Sequence, residues 1–552
     1  LEEFLTAAPA SASRHRYIAA VIAVIVVLLA TFFITGTYKV YEQTYDESAH
    51  VACGMEWLSQ GTYDYESLHP PLARAATALL PFLQGARSQG QADMLVEGNA
   101  IFHLHGDYWR NLTLSRLGVL PFFWLLCFVV YRFMAERFSA WHAAVAVMLL
   151  ALCPPVLAHT GLATTDAPLM AMFTWSLLRF WRFLEKPSAA NAVLAGLIFS
   201  LAALTKFTEL PFYLLAAFLL LLYIGLRERR FPLPVRLLLL AILVIPPTLW
   251  AGYRFSYGPV FNQHSMGPSA AVKLKTISPR ERALLTSVNV PADQFFRGLI
   301  MAKGTGSVGR LSYLLGHTYK GGRRMFFPVA LSVKTPLPLL LLFAAGLGFC
   351  LFVKRLRLNP VIVVLLLGVA CPLLVGIAGQ MNIGLRHVLP VYPFMAMLGA
   401  IGAMELWGLS RGGLQIGLGG LVLVLLAWEL IGTARSAPDF LPYFNEIAAG
   451  HADHFLVNSD LDWGQDLARL ESKLRKEHAP SVAIDYFGDP DADESGLPEH
   501  HALEPGERPT GWVAVSDTDY IEEPEKWGWL GRYPYTWVGH SIRLYHLASP
   551  PA

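Results

Sequence analysis

Asp46 and Glu47 stand side by side in 44-TYDESAHVACGMEWLSQGTYDYESLHPPLAR-74, just beyond an apolar run, 19-AAVIAVIVVLLATFFITG-36. Adjacent residues on a helix face different ways, so the two acids take different jobs. One can accept a proton from an acceptor hydroxyl; the other can orient groups or hold a metal. General-base help of this kind is worth roughly 10²–10⁴ in rate. The alternative is an ordinary solvated pair in a loop. His50 follows within a turn, and His69 returns in 68-LHPPLAR-74, where two prolines fix the backbone. Such rigidity suits a pocket wall and equally a loop without chemistry.

Asp166 lies in 159-HTGLATTDAPL-169 at the border of an apolar run. An acid there is costly unless wet or paired, and it also fits the start of the next helix, with Pro168 close behind. Cations recur against apolar stretches: Lys206 in 204-LTKFTEL-210, Lys334 in 332-SVKTPLPL-339, and Arg386 with His387 in 384-GLRHVLPVYPF-394. They can snorkel to lipid phosphates. They can also hold the phosphate of a lipid-borne substrate, Arg through its bidentate fork and Lys as a point charge. Acids and cations at one membrane face point to transfer from a phosphorylated lipid to an acceptor outside, with the cations stabilising the departing phosphate. His103 and His105 in 101-IFHLHGD-107, with His50 and His264, are candidate ligands for a divalent metal, although H-x-H spacing is common by chance. There is no P-loop or GxGxxG pattern and hence no nucleotide site. Near the C-terminus, 458-NSDLDWGQDL-467 offers Trp463 and Asp466 to a sugar acceptor. Equally, Asp460 or Asp462 starts the next helix and Trp463 belongs to a core.

These residues must be positioned by a membrane bundle. Of the 552 residues 54% are hydrophobic and 15% charged, and mean hydropathy is +0.43. Runs of about 18 apolar residues read as spans. Eleven are expected: 17–36, 114–134, 140–158, 166–183, 189–205, 208–225, 235–253, 336–353, 359–379, 389–409 and 413–432. The first is long for a signal peptide, lacks a small-residue cleavage pattern after it, and reads as a retained span. Arg14, Arg16, Arg132, Arg137, Arg179, Arg182, Lys186, Arg227, Arg229, Arg230, Arg236, Lys354, Arg355, Arg357 and Arg411 fall in short loops on one side, which the positive-inside rule makes cytoplasmic. An odd span count then places the C-terminal end outside, along with loops 37–113 and 254–335. From residue 438 onward 21 Asp/Glu face 8 Lys/Arg, so an acidic extramembrane region follows a basic membrane one. Two domains are expected, 1–432 in the membrane and 433–552 outside. In the latter, 465–478 reads as a helix and 481–488, 511–517 and 540–547 as strands, a small α/β unit. In the first loop, 47–61 and 88–107 read as helical pieces along the membrane surface. No basic, aromatic-interleaved surface suits nucleic acid. Cys53, Cys127, Cys153, Cys350 and Cys371 form no CxxC and read as small buried hydrophobes.

The chain resembles the GT-C superfamily of membrane glycosyltransferases, close to the protein O-mannosyltransferase and aminoarabinose transferase group. The resemblance is carried by 45-YDESAH-50, 68-LHPPL-72, 159-HTGLATTDAPL-169, 204-LTKF-207, 326-FFPVALSVKTPLPLL-340 and 386-RHVLPVYPF-394, and toward bacterial relatives by 443-YFNEIAAG-450 and 457-VNSDLDWGQDL-467. It implies a multi-pass enzyme of the bacterial cytoplasmic membrane that takes a sugar from a polyprenyl-phosphate carrier and passes it, with inversion, to an extracytoplasmic protein, lipid or glycan. A mannosyl donor is one expectation. The resemblance further implies Asp46 as catalytic base with Glu47 completing the acidic pair, and Asp166 as the second acidic position. It puts Lys206 and Arg386 by the carrier phosphate. Lys334 and His387 join that donor set here, and His50 and His69 support the pocket. Some relatives use a divalent metal and others none. Where eukaryotic mannosyltransferases carry a β-trefoil, this chain has an α/β-like C-terminal region. A transporter or flippase of lipid-linked saccharides is the rival reading, although it favours polar groups near the midplane. A scaffold that recruits envelope partners through the acidic region is the third.

Overall fold

The computed structural model describes residues 10–229, 234–261, 277–409, 415–448, 450–489 and 494–548. Arg230, Arg411 and His264 lie outside the described residues. Within the described residues each of the eleven expected spans falls largely on helix. Among the described residues, however, seven helices are long and apolar enough to cross a membrane, or nine if each of two bent pairs is one span. The shortfall from eleven has physical reasons. Asp166–Glu185 carries Asp166, Arg179, Arg182 and Glu185 within 20 residues. Ala189–Ala203 has 15 residues, roughly 22 Å of helix against a hydrocarbon core of about 30 Å. The bent pairs turn by 66° between Ala140–Ala151 and Pro154–Thr160, and by 116° between Phe326–Lys334 and Leu337–Phe352. Pro154 and Pro336 stand at these breaks, where a missing N–H and a fixed φ do not continue a helix. The chain is a polytopic helical membrane protein with a C-terminal α/β region.

Helix starts follow local chemistry. Ser139, Ser188 and Asn359 accept from the amides of His142, Asn191 and Val361 at 3.3, 3.2 and 3.0 Å, relieving donors that have no partner inside the helix. Within Ala10–Gly36, Thr31 and Thr35 return their hydroxyls to Val27 and Thr31 carbonyls at 2.8 and 3.0 Å, so neither is left bare in an apolar helix.

The loop 37–113 is itself helical, at Glu47–Ser59, Pro71–Leu83 and Met94–Phe102. Its three helices pack tightly because of two glycines. A Cβ on Gly54 would lie 2.0 Å from the Arg74 carbonyl oxygen, and one on Gly98 would lie 2.3 Å from that of Ser48. These close approaches set the helix that begins at Glu47. Between residues 254 and 335, β1 (Tyr257–Pro259) pairs antiparallel with β2 (Asn289–Pro291), and β3 (Leu311–Leu314) with β4 (His317–Lys320).

The C-terminal sheet contains β5 (Ser481–Asp485), β6 (Glu499–Ala502), β7 (Gly511–Ser516), β8 (Tyr535–Val538) and β9 (Ile542–Leu547), in the order β6-β5-β7-β9-β8. β5 runs parallel to β6 and β7; β9 runs antiparallel to β7 and β8. Helix Leu467–Lys476 lays Leu467, Leu470 and Leu474, one helical stripe, against Val482, Ile484 and Leu544. The other face packs Val513, Val515 and Tyr545 on Trp527 and Leu530. The central strands β5, β7 and β9, buried along most of their length, fall on the three expected strand segments. β6 and β8 are edges of mostly exposed residues and lack the buried alternation that reveals a strand.

This region also stores a pH response. Burial, reinforced by Asp485, Glu523 and Glu522, pushes the Asp519 carboxyl up to about 8. The folded state therefore holds that proton more tightly than the unfolded chain does. The associated stability is present below the ordinary aspartate range and is lost as pH rises through about 8. Asp519→Asn should remove the loss. The variant is expected to exceed the wild type by several kcal/mol at pH 8.5, each unit of the rise from 3.8 to about 8 being worth about 1.4 kcal/mol, and to match it near pH 4, read from hydrogen exchange of β7 amides. Equal protection at both pH values would refute this.

Candidate active site

One buried arginine gathers the loop that follows the first span. Arg116, in helix Tyr108–Leu117, donates to the carbonyls of Tyr38, Tyr41 and Glu42 at 3.0, 2.9 and 2.9 Å, and to both Glu47 oxygens at 2.9 and 2.8 Å. Glu47 also accepts from the amides of Thr44 and Ala163 at 2.8 and 2.7 Å. Arg116 and Glu47 are fully buried, which is sustainable because their hydrogen-bonding positions are matched. Glu47 thus ties the 38–47 turn to the Ala163 turn. Its carboxylate is taken up by that work.

Asp46 is only part-buried. It sits at the N-cap of Glu47–Ser59 but makes no side-chain cap bond. Its Oδ2 instead takes the Arg386 Nη1 at 2.5 Å, and 28% of its side chain remains exposed. Arg386 comes from the 3₁₀ turn Leu385–Val391, and the same Nη1 lies 3.7 Å from Asp166 Oδ2. Asp166 opens the helix Asp166–Glu185; its Oδ1 takes Lys206 Nζ at 2.5 Å. Lys206 sits in the break between Ala189–Ala203 and Glu209–Glu228. A ladder of alternating charge results: Asp46, Arg386, Asp166, Lys206. Burial alone would raise the Asp46 carboxyl, but the Arg386 guanidinium outweighs it and holds the group well below the usual carboxylate range. Around the ladder Asp166 Oδ2, Arg386 Nε, His387 Nε2 and His159 Nδ1 are buried without a hydrogen-bond partner. Bare buried polar atoms are costly, and here they converge on one place.

A second network backs Asp46. Arg74 donates through Nε to His50 Nδ1 at 3.1 Å and through Nη1 to the Glu66 carbonyl at 2.8 Å, and it pairs with the Glu66 carboxylate. Arginine only donates, so His50 Nδ1 accepts and the ring proton sits on Nε2. Burial and the adjacent Arg74 charge hold the His50 pKa well below the ordinary histidine range, and the ring stays neutral. The His69 ring stands edge-on to His50 with centroids 5.1 Å apart. Burial disfavours the Glu66 anion, yet Arg74 and His69 bring its carboxyl down to about 2.

The C-terminal region closes the site from the far side of the sequence. The Trp463 carbonyl accepts from the Tyr45 amide at 3.2 Å and the Gln465 carbonyl from that of Glu42 at 2.9 Å. The Trp463 indole lies 4.2 Å beneath the Arg386 guanidinium and meets the His159 ring edge-on. Asp460 accepts from the Leu385 amide at 3.0 Å, and Ser459 donates to the Ile383 carbonyl at 2.6 Å. The 3₁₀ turn carrying Arg386 is therefore gripped by the 459–463 turn.

Asp46, Asp166, Lys206 and Arg386 come together as one cluster, with His387 next in chain to Arg386 and His50 and His69 on its flank. Three candidates stand elsewhere. Glu47 is engaged by Arg116. Lys334 Nζ donates to the Leu441 and Asp460 carbonyls at 2.8 and 2.6 Å and makes no ion pair with Asp46 or Asp166. Asp466 accepts from the His540 amide and the Ser541 hydroxyl at 3.1 and 2.8 Å and bonds Arg469, fixing the turn between β8 and β9. Trp463 is 1% exposed and supports Arg386 rather than offering a free ring face. Sequence reasoning passed over Arg116, Arg74 and Glu66. Their one signal was a charge close to apolar sequence that calls for a buried partner. Among the described residues, no three His, Cys, Asp or Glu side chains are grouped to hold a metal. Asp46 and Asp166 already face a guanidinium and an ammonium, so the donor set does not fit a divalent cation. His103 lies 3.8 Å from Glu494, and His105 is exposed on a left-handed residue.

The sequence profile of the dolichyl-phosphate-mannose-protein mannosyltransferases matches residues 112–250, a stretch that contains Asp166 and Lys206. No curated protein matches the chain in sequence. Among solved structures, it is similar to ArnT from Cupriavidus metallidurans bound to undecaprenyl phosphate, at 12% identity and a TM-score of 0.48, covering 96% of this chain and 99% of that one. It is also similar to the apo oligosaccharyltransferase of Archaeoglobus fulgidus, at 13% identity and a TM-score of 0.49, covering 93% and 72%. The complex of that oligosaccharyltransferase with Zn and sulfate has 12% identity and a TM-score of 0.45, covering 92% and 70%.

Proposed function

We propose that this protein is an inverting glycosyltransferase that moves a sugar from a polyprenyl-phosphate carrier to an acceptor on the non-cytoplasmic face of a bacterial cytoplasmic membrane. The Asp46–Arg386–Asp166–Lys206 ladder carries the reading. It lies where helices Asp166–Glu185 and Glu209–Glu228 begin, whereas Arg182, Lys186 and Arg227 mark their other ends. By the positive-inside rule those other ends are cytoplasmic. The profile match over residues 112–250 gives independent support for a phosphate-linked sugar donor and for mannose as the first sugar to try.

The chemistry follows from the charges. Arg386 and Lys206 are the cations available to a carrier phosphate, and in the resting state carboxylates occupy them. An arriving phosphate competes for both. As Arg386 turns to it, Asp46 loses the partner that stabilises its anion and becomes a stronger base. The acceptor oxygen then attacks the anomeric carbon as its proton passes to Asp46. The bond from that carbon to the phosphate oxygen breaks, and its electron pair leaves with the lipid phosphate, whose added charge Arg386 and Lys206 offset. Attack opposite the leaving group inverts the centre. Neutral His50 and His69 and the unpartnered His387 Nε2 and His159 Nδ1 are the groups at hand for sugar hydroxyls.

The test uses the full chain in lipid nanodiscs with a radiolabelled polyprenyl-phosphate mannose and an envelope extract as acceptor. Label is expected to move into protein, lipid or glycan with release of polyprenyl phosphate. Movement of intact donor across a liposome membrane with no transfer would replace this reading by a flippase.

A further inference from the structure

A second ligand position lies about a helix length from the ladder, between Ala10–Gly36 and Leu120–Arg137. A cavity of about 510 Å³ opens there where Ala10–Gly36 begins and Leu120–Arg137 ends; Arg16, Arg132, Tyr131 and Trp141 are among its walls. Tyr131 also lines a second, apolar cavity of about 250 Å³ walled by Ala23, Val24, Leu28, Trp124 and Phe128. The two are head and tail of one crevice. On the first helix Arg16, Ala20, Ala23, Val24 and Val27 follow one stripe at three- and four-residue steps; on the second Trp124, Phe128, Tyr131 and Ala135 do the same. Both stripes carry their polar end at the same cavity. From Arg16 to Leu28 the groove runs roughly 18 Å along the helix, against about 15 Å for one leaflet's hydrocarbon.

The charges at the head are unbalanced. Arg16 has no ion-pair partner among the described residues. Arg132 pairs at 2.6 Å with Glu136, 61% and 42% exposed respectively, and Arg182 reaches the same Glu136 at 3.8 Å. Two guanidinium groups thus share one carboxylate while Arg16 lines the same cavity without one, and an exposed pair of this kind is weak enough for a phosphate to displace. Trp141 and Tyr131 stand where amphipathic rings favour the membrane interface. The geometry points to a binding site for an anionic phospholipid, its phosphodiester at Arg16 and Arg132 and one acyl chain along Val24, Leu28 and Phe128. It is a site for bilayer lipid at the opposite end of the bundle from the proposed donor.

The test is native mass spectrometry of the delipidated full chain with phosphatidylglycerol, phosphatidylcholine or free glycerol phosphate. Phosphatidylglycerol is expected to be retained about tenfold over phosphatidylcholine, and free glycerol phosphate not at all. Arg16→Ala with Arg132→Ala should erase the preference between the two lipids. Val24→Trp, at a side chain 57% exposed, fills the groove without entering the core and should weaken retention of both lipids. Thermal unfolding verifies that each variant is folded. Undiminished preference in the double variant overturns the head site, undiminished retention in Val24→Trp overturns the groove, and capture of free glycerol phosphate overturns the lipid assignment.

Discussion

Asp46→Asn is expected to lower sugar transfer by about 10²–10⁴ while leaving the protein folded. Asparagine keeps the shape and can still accept from Arg386, but it cannot hold a proton taken from an acceptor hydroxyl. Asp46 is also the part-exposed end of the ladder, 28% open, so the substitution strands no fully buried charge. The kinetic pattern separates base from scaffold. With the anion gone, Arg386 is freer for the donor phosphate, so donor KM should hold or fall while kcat collapses. A scaffold residue would raise KM and lower the unfolding temperature together. Transfer within about threefold of wild type by a folded Asp46→Asn protein would remove Asp46 from the base role and leave the ladder a structural ion network.

The bundle was legible in the sequence because spans announce themselves by long apolar runs, and each expected run lies largely on helix. What the runs did not reveal was which helices are too short or too charged to cross alone: Ala189–Ala203 and Asp166–Glu185 look like spans by hydropathy but stop short or carry charge. At the site, Asp46, Asp166, Lys206 and Arg386 stood out one by one as charges against apolar sequence. That they meet is a tertiary fact, with 340 residues between Asp46 and Arg386. Lys334 carried the same signal and meets backbone carbonyls instead, so position at a membrane border does not distinguish a substrate cation from an anchor. Trp463 shows the same limit. In isolation its ring reads equally as a sugar platform or as core, and only the fold places a guanidinium over it. The edge strands β6 and β8 were invisible because their pattern carries no burial.

Adjacent acids with opposite fates make the sharper experiment. Asp46 keeps 28% of its side chain exposed; Glu47 is sealed with Arg116, both fully buried. Removing one partner of such a pair leaves the other charge bare in a dry interior, a loss of about 3–5 kcal/mol. Glu47→Gln should therefore strongly lower the unfolding temperature, because Arg116 keeps its charge and five carbonyl and carboxylate contacts are disturbed around it. Arg116→Met alone should do the same by stranding Glu47. The double variant Glu47→Gln with Arg116→Met leaves no bare charge and should recover part of the loss, with a coupling of about 1–3 kcal/mol. Transfer per folded molecule should recover in step, since on this account Glu47 acts only by holding the 38–47 turn and, through the Ala163 amide, the approach to Asp166. If Glu47→Gln folds as stably as wild type but has lost transfer, the carboxylate takes part in the chemistry itself. The two acids would then share the proton work that the geometry gives to Asp46 alone.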